Sequence, residues 1–108
     1  MIEKILALVS IPVFAYLISG LNPAIILSKA IYGKDIRNEG SKNAGFTNFK
    51  RVFGSRYAWH VFVLDILKGA VISVVAGFVF KAVFDNWDLG VAYAAMFAML
   101  GHAFPVYY

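Results

Sequence analysis

Short hydrogen-bonding side chains, glycines and one arginine crowd into the stretch Gly40-Ser41-Lys42-Asn43-Ala44-Gly45-Phe46-Thr47-Asn48-Phe49-Lys50-Arg51 of this 108-residue chain. Gly40 and Gly45 let backbone N–H groups come close to a ligand. Ser41, Asn43, Thr47 and Asn48 offer hydroxyl and amide hydrogen bonds, and the planar guanidinium of Arg51 can hold two oxygens of an oxyanion at once. Connecting two helices does not require such a composition. The pattern reads as a phosphate site, with Gly40, Ser41, Asn43, Gly45, Thr47, Asn48 and Arg51 as its binding residues. The competing reading is an interfacial loop whose cations meet anionic headgroups.

The elements that must position this segment are apolar. Hydrophobic residues make up 61% of the chain and charged ones 15%, and the mean hydropathy is +0.73. A soluble fold of this size cannot hide so much apolar surface, so lipid is the expected solvent. Cysteine is absent, which excludes disulfides and thiolate metal sites, and no metal site is expected. The formal net charge is +4, yet six of the ten basic residues fall between Lys34 and Arg56. That clustering fits the positive-inside rule better than a nucleic-acid surface, so no nucleic-acid partner is expected. Met1-Ile2-Glu3-Lys4 carries no net side-chain charge and no Ala-x-Ala site follows it, which argues against a cleaved signal peptide.

The expected fold is all-α, a single polytopic membrane domain over 1–108 with spans at about 5–28, 57–80 and 89–108. No charge lies between Lys4 and Lys29, enough to cross a hydrocarbon core of roughly 30 Å. Asn22-Pro23 interrupts that segment and predicts a kink or break, because proline removes a donor and clashes with the preceding turn. The second span carries Asp65 and Lys68, three residues apart on one helical face, where they can pair or where Lys68 can meet an anionic substrate. Gly69 permits close helix approach, and His60 is expected as an interfacial or buried hydrogen-bonding residue. The third span is uncharged apart from His102, for which catalysis and simple packing both stay open.

The loop 32–56 is basic and the loop Lys81 to Asp88 is acidic on balance. The basic loop is therefore expected in the cytoplasm and the N-terminus outside. The third span then runs inward and brings His102 toward the same face as the glycine-serine segment. Within the basic loop, Thr47 or Asn48 could cap a short helix ending near Gly54. The first-turn N–H groups of such a helix would add to anion binding.

Gly40-Ser41-x-Asn43-x-Gly45-x-Thr47-Asn48-x-x-Arg51, Asp65-x-x-Lys68-Gly69 and Gly101-His102-x-Phe104-Pro105 follow one another in that order. Together they resemble motifs of the bacterial acyl-phosphate:glycerol-3-phosphate acyltransferase family, in its N-terminal part, and the resemblance covers essentially the whole chain. It implies a multi-pass enzyme of the bacterial inner membrane. The implied reaction moves a fatty acyl group from acyl phosphate to the first hydroxyl of glycerol 3-phosphate, giving lysophosphatidic acid and phosphate at the start of phospholipid synthesis. No cofactor is implied. Coenzyme A and acyl carrier protein are not used directly, and the acyl phosphate comes from a partner enzyme that acts on acyl carrier protein.

The resemblance further implies that Ser41 and Arg51 are the catalytic, phosphate-holding residues. Asn43, Thr47 and Asn48 would shape the pocket or donate further hydrogen bonds, and Asp65, Lys68 and His102 would support it from behind. Acyl phosphate is a mixed anhydride with a good leaving group, so positioning and charge stabilisation can carry the reaction. A substrate phosphate can take the proton. Ser41 has no evident neighbouring base to make it an acylated nucleophile.

Lys42 and Phe46 stand where many family members have glycine and alanine. In the family, the Gly-His-x-Phe-Pro segment leads to a Gly-Gly-Lys-Gly phosphate loop and further spans, whereas this sequence ends at Tyr108 within an apolar run. The chain is thus expected to be the N-terminal half of a longer protein and, alone, inactive or nearly so. Two other classes compete. A small oligomeric transporter would need an intramembrane acid, and only Asp65 is available; a non-catalytic scaffold subunit would be indifferent to Ser41→Ala and Arg51→Ala.

Overall fold

The computed structural model describes residues 1–107, which form helices and turns with no strand among them. They divide into two compact units, one made of Met1–Leu21 and the chain from Lys68 onward, the other of Asn22–Leu67.

The first unit packs α1 (Ile2–Gly20), the second half of α4 (Ser55–Phe84) and α5 (Trp87–Ala103). Ala7, Ile11 and Ala15 recur every four residues on α1, and Ile72, Ala76 and Phe80 do the same on α4. Each trio therefore forms one helical stripe, and Ala94 of α5 completes the core between them. Glycine sets how closely α5 approaches. A Cβ on Gly90 would run into the backbone carbonyl of Ala76, and one on Gly101 into that of Tyr16.

Hydroxyl groups in this unit donate to helix carbonyls, Tyr93 to Leu8 at 2.8 Å and Tyr107 to Leu17 at 3.1 Å. Tyr16 donates to the carbonyl of Phe104, just past α5, and Ser19 to that of Ala98 within it. In apolar surroundings a hydroxyl without such an acceptor would be costly.

The interruption expected at Asn22-Pro23 is a full break. Leu21 and Asn22 adopt extended backbone, so α1 ends at Gly20 and a separate α2 (Pro23–Tyr32) begins. A continuous helix would bond the residue-23 N–H to the Ser19 carbonyl, and proline has none to give. Lys68 fills that gap. Its Nζ donates to the carbonyls of Ser19 at 3.0 Å and Leu21 at 3.1 Å, a cation at the carboxyl end of a helix with no basic residue in its own last turn.

Two stretches, Ile2–Tyr32 and Ser55–Phe84, are long and apolar enough to cross a membrane. The third expected span differs. α5 has 17 residues, a rise of roughly 25 Å at 1.5 Å per residue, short of the usual spanning length. Phe104 leaves helical geometry at φ −132 and ψ 61 because it precedes Pro105. Tyr108, the expected end of that span, lies outside the described residues.

The second unit holds α2, a 3₁₀ turn (Ile36–Asn38), α3 (Phe46–Phe53) and the first half of α4. Ala24, Ile25, Ile36, Phe49, Ala58 and Val61 form its core. Tyr32 stacks on Phe53 at 4.2 Å between ring centroids and meets Phe49 edge-on. These contacts tie the end of α2 to α3. What they leave open is the loop between the two.

Candidate functional site

The loop from Glu39 to Gly45 takes its shape from one buried side chain, Asn48 in the first turn of α3. Its Oδ1 accepts the Ser41 N–H at 3.0 Å. Its Nδ2 donates to the carbonyls of Glu39 at 3.0 Å and Asn43 at 2.9 Å. Three loop residues thus close on a single amide whose two donors are both engaged. Gly40 sits at φ +55, and a Cβ there would overlap Asn48 Oδ1 and press on Val52, so only glycine allows the loop to pass this close. Lys42 also takes a left-handed backbone, φ +67, and its N–H closes a turn onto Glu39 at 2.8 Å. Glycine would take that backbone without strain, and a lysine there does not.

The N-cap of α3 is Gly45, not Thr47 or Asn48 as the capping preference suggests. Having no side chain, Gly45 gives no capping bond. The first-turn N–H groups of α3 have no acceptor within the helix and carry its positive dipole end. A Cβ placed on Gly45 would lie 3.6 Å from Asn43 Nδ2, so the Asn43 amide sits beside this uncapped end. Thr47 and Arg51 are four residues apart and share a face of α3, and both are exposed, as are Ser41 and Asn43. The helix stops at Gly54, φ +87, as its position in the sequence suggests.

The expected binding residues therefore separate into two kinds. Ser41, Asn43 and Thr47 present exposed polar groups around one loop-to-helix junction, and Arg51 is exposed in the last turn of the same helix; Gly40, Gly45 and Asn48 give the junction its form. Lys50 turns its ammonium to the Trp59 ring, 5.7 Å from the centroid. His60 is exposed, with its ring 5.6 Å from that of Tyr57.

The residues expected to support the site are divided between the units. Asp65 is half-buried on α4 in the unit of the loop. Lys68 and His102 belong to the other unit, where Lys68 Nζ lies 3.1 Å from His102 Nδ1. With the carbonyls of Ser19 and Leu21 as acceptors, Lys68 caps the end of α1.

Three anchors of the loop lie outside the motif. Asn22 caps α2 by accepting the Ile25 N–H at 3.2 Å, and its Nδ2 donates to the Ala44 carbonyl at 3.1 Å. Ser28 accepts the Ile36 N–H at 3.1 Å while donating to Ile25 at 3.0 Å. Asp35 accepts the backbone and side-chain N–H groups of Arg37, with Nη2–Oδ2 at 2.6 Å, and lies 3.6 Å from Lys29. The sequence carries the first signal openly, since asparagine before proline is a helix-start signature. Its second bond, to Ala44, has no local signal.

The Arg37 side-chain hydrogen bonds, then its backbone N–H and the nearby positive charges, hold the Asp35 carboxyl well below the usual carboxylate range. A lowered folded-state value means that this stabilisation is complete above the unfolded value, near 4, and is lost as pH falls through the range beneath it. Melting temperature followed from about pH 5 down to about pH 2 should therefore fall less steeply in Asp35→Asn than in the parent. Identical pH profiles would show that the Asp35–Arg37 pair contributes nothing to acid sensitivity.

Comparison with known proteins gives one consistent result. A family model described as glycerol-3-phosphate acyltransferase matches residues 9–108. The glycerol-3-phosphate acyltransferase of Finegoldia magna is 36% identical over 103 residues, 95% of this chain and 49% of the relative. That of Thermoanaerobacter pseudethanolicus is 45% identical over 95 residues, 88% of this chain and 45% of the relative. That of Aquifex aeolicus is 36% identical over 96 residues, 89% of this chain and 47% of the relative. The chain spans about half the length of the curated relatives it matches. No solved structure gives a significant match.

Proposed function

Because this chain belongs to the glycerol-3-phosphate acyltransferase family, we propose that its loop-to-helix junction holds the phosphate of glycerol 3-phosphate for acylation. The observation that carries the proposal is the junction itself. Ser41 and Asn43 stand on a loop pinned by Asn48, at the uncapped amino end of a helix that also carries Thr47 and Arg51. Donors on such a frame are pre-positioned, so little ordering is required when an oxyanion arrives.

The acyl donor is acyl phosphate, as the family resemblance implies, made by an enzyme that draws on acyl carrier protein. The sn-1 hydroxyl oxygen of glycerol 3-phosphate attacks the acyl carbon, the bond from that carbon to the phosphate oxygen breaks, and a phosphate oxygen takes the hydroxyl proton. Lysophosphatidic acid and inorganic phosphate result. Arg51 bears the double hydrogen bond to phosphate oxygens, and Ser41 adds a neutral donor beside it.

The setting is the bacterial inner membrane. Large apolar side chains stand exposed along α1, among them Leu6, Val9 and Val13, and along α4, among them Ile66, Val71, Val74 and Phe78, which suits lipid as their neighbour. α5 adds a shorter membrane segment beside them. The basic segment between α2 and α4 faces the cytoplasm by the distribution of its cations, and the N-terminus lies outside.

Equilibrium dialysis of labelled glycerol 3-phosphate against the protein in detergent micelles tests this reading. Saturable binding that inorganic phosphate displaces and glycerol does not is the expected result. Failure to saturate would remove the basis for a phosphate site.

A further inference from the structure

Asn22 lies outside the glycine-serine motif, separated from Ala44 by twenty-two positions. Yet its side chain is buried, at 7% exposure, and both ends of its amide are committed. Oδ1 caps α2, and Nδ2 holds the Ala44 carbonyl, which falls between Asn43 and the N-cap residue Gly45. The chain direction at Asn22 is fixed by its neighbour, since Pro23 opens α2 and restricts the residue before it to the extended geometry observed, φ −106 and ψ 109. A cap alone needs no amide. Serine, threonine or aspartate would serve as well at that position, and none of them can also donate with the same reach.

We propose that Asn22 is a positioning residue for the phosphate site, acting through Ala44 to set where the Asn43 amide and the first-turn N–H groups of α3 point. Asn48 holds this loop from the α3 side, at Glu39, Ser41 and Asn43. Asn22 holds its last turn from the α2 side. Released from Asn22, the Ala44 peptide is free to rotate, and the N–H of Gly45 and the side chain of Asn43 rotate away with it. The inference rests on the phosphate-site reading above.

Asn22→Ser separates the two jobs, because serine keeps the cap without adding charge and cannot span the gap to Ala44. In the dialysis experiment with labelled glycerol 3-phosphate, Asn22→Ser should weaken binding roughly tenfold, as one lost anchoring bond would. Its melting temperature should stay close to the parent's, and Asn22→Ala, which loses the cap as well, should melt lower than either. Arg51→Ala is run beside them. If Asn22→Ser binds like the parent while Arg51→Ala does not, the positioning role is wrong and the phosphate site stands. If the parent itself fails to bind saturably, the phosphate site falls, and the inference with it.

Discussion

Replacing Arg51 by alanine is expected to weaken glycerol 3-phosphate binding roughly 30- to 150-fold, corresponding to about 2–3 kcal/mol for a lost charge-assisted double hydrogen bond. Arg51 is exposed on α3 beside Thr47's face of the helix, and the core of its unit is built from other residues. Truncating it should therefore leave folding nearly untouched, and the melting temperature should move by no more than a few degrees. Arg51→Lys supplies the discriminating comparison. An ammonium restores the charge but cannot present two parallel donors, so affinity should return only in part. Titration calorimetry of parent, Arg51→Ala and Arg51→Lys would read all three. Full recovery with lysine would reduce Arg51 to a source of general positive potential, and normal binding in both variants would remove it from the site.

Asn48→Ala is expected to be comparably disabling without removing any group proposed to touch the ligand. The substitution releases the Ser41 N–H and the carbonyls of Glu39 and Asn43 together. An orphaned buried group costs about 1–3 kcal/mol, and partial rehydration of so open a loop brings the sum to roughly 2–4 kcal/mol. Hydrogen exchange at residues 39–44 should then speed up markedly, with affinity for glycerol 3-phosphate falling in step. Asn48→Asp should not rescue it. A carboxylate can still accept from Ser41, but it would face two carbonyl oxygens where the amide donated. Exchange in that segment as slow as in the parent would show that Asn48 does not set the loop.

The polar character of the loop is legible in the sequence because it depends on residue type: glycine, hydroxyl, amide and guanidinium within a dozen positions amid apolar neighbours. The division of labour among those residues is not. Asn48 and Asn43 look alike in sequence, and only burial shows that one braces the loop while the other stands exposed. The observed cap of α3 precedes the expected one for a related reason. Capping preference favours Thr47 and Asn48 over glycine, but Asn48 is already committed to the loop, and Gly45 takes the cap by default.

The break at Asn22-Pro23 followed directly from proline chemistry. Its consequence, a lysine from α4 serving the orphaned carbonyls of α1, joins residues 49 and 47 positions apart and leaves no local trace. Hydropathy likewise carried the third apolar run to Tyr108, whereas the helix yields before Pro105, a local backbone constraint that an averaged scale does not weigh. Asn22 shows the same limit from the other side. Its cap could be read from two adjacent residues, and its hold on Ala44 could not.

The central claim is that Arg51 grips phosphate, and the guanidinium Nε–H resonance of Arg51 tests it most directly. In ¹⁵N-arginine-labelled protein, with the signal assigned through Arg51→Lys, added glycerol 3-phosphate should shift Arg51 Nε–H saturably, and glycerol should leave it in place. Arg37, already bonded to Asp35 through its own Nε, should remain still. An Arg51 signal unmoved at saturating ligand, with binding confirmed by dialysis, would contradict the claim and place the phosphate elsewhere.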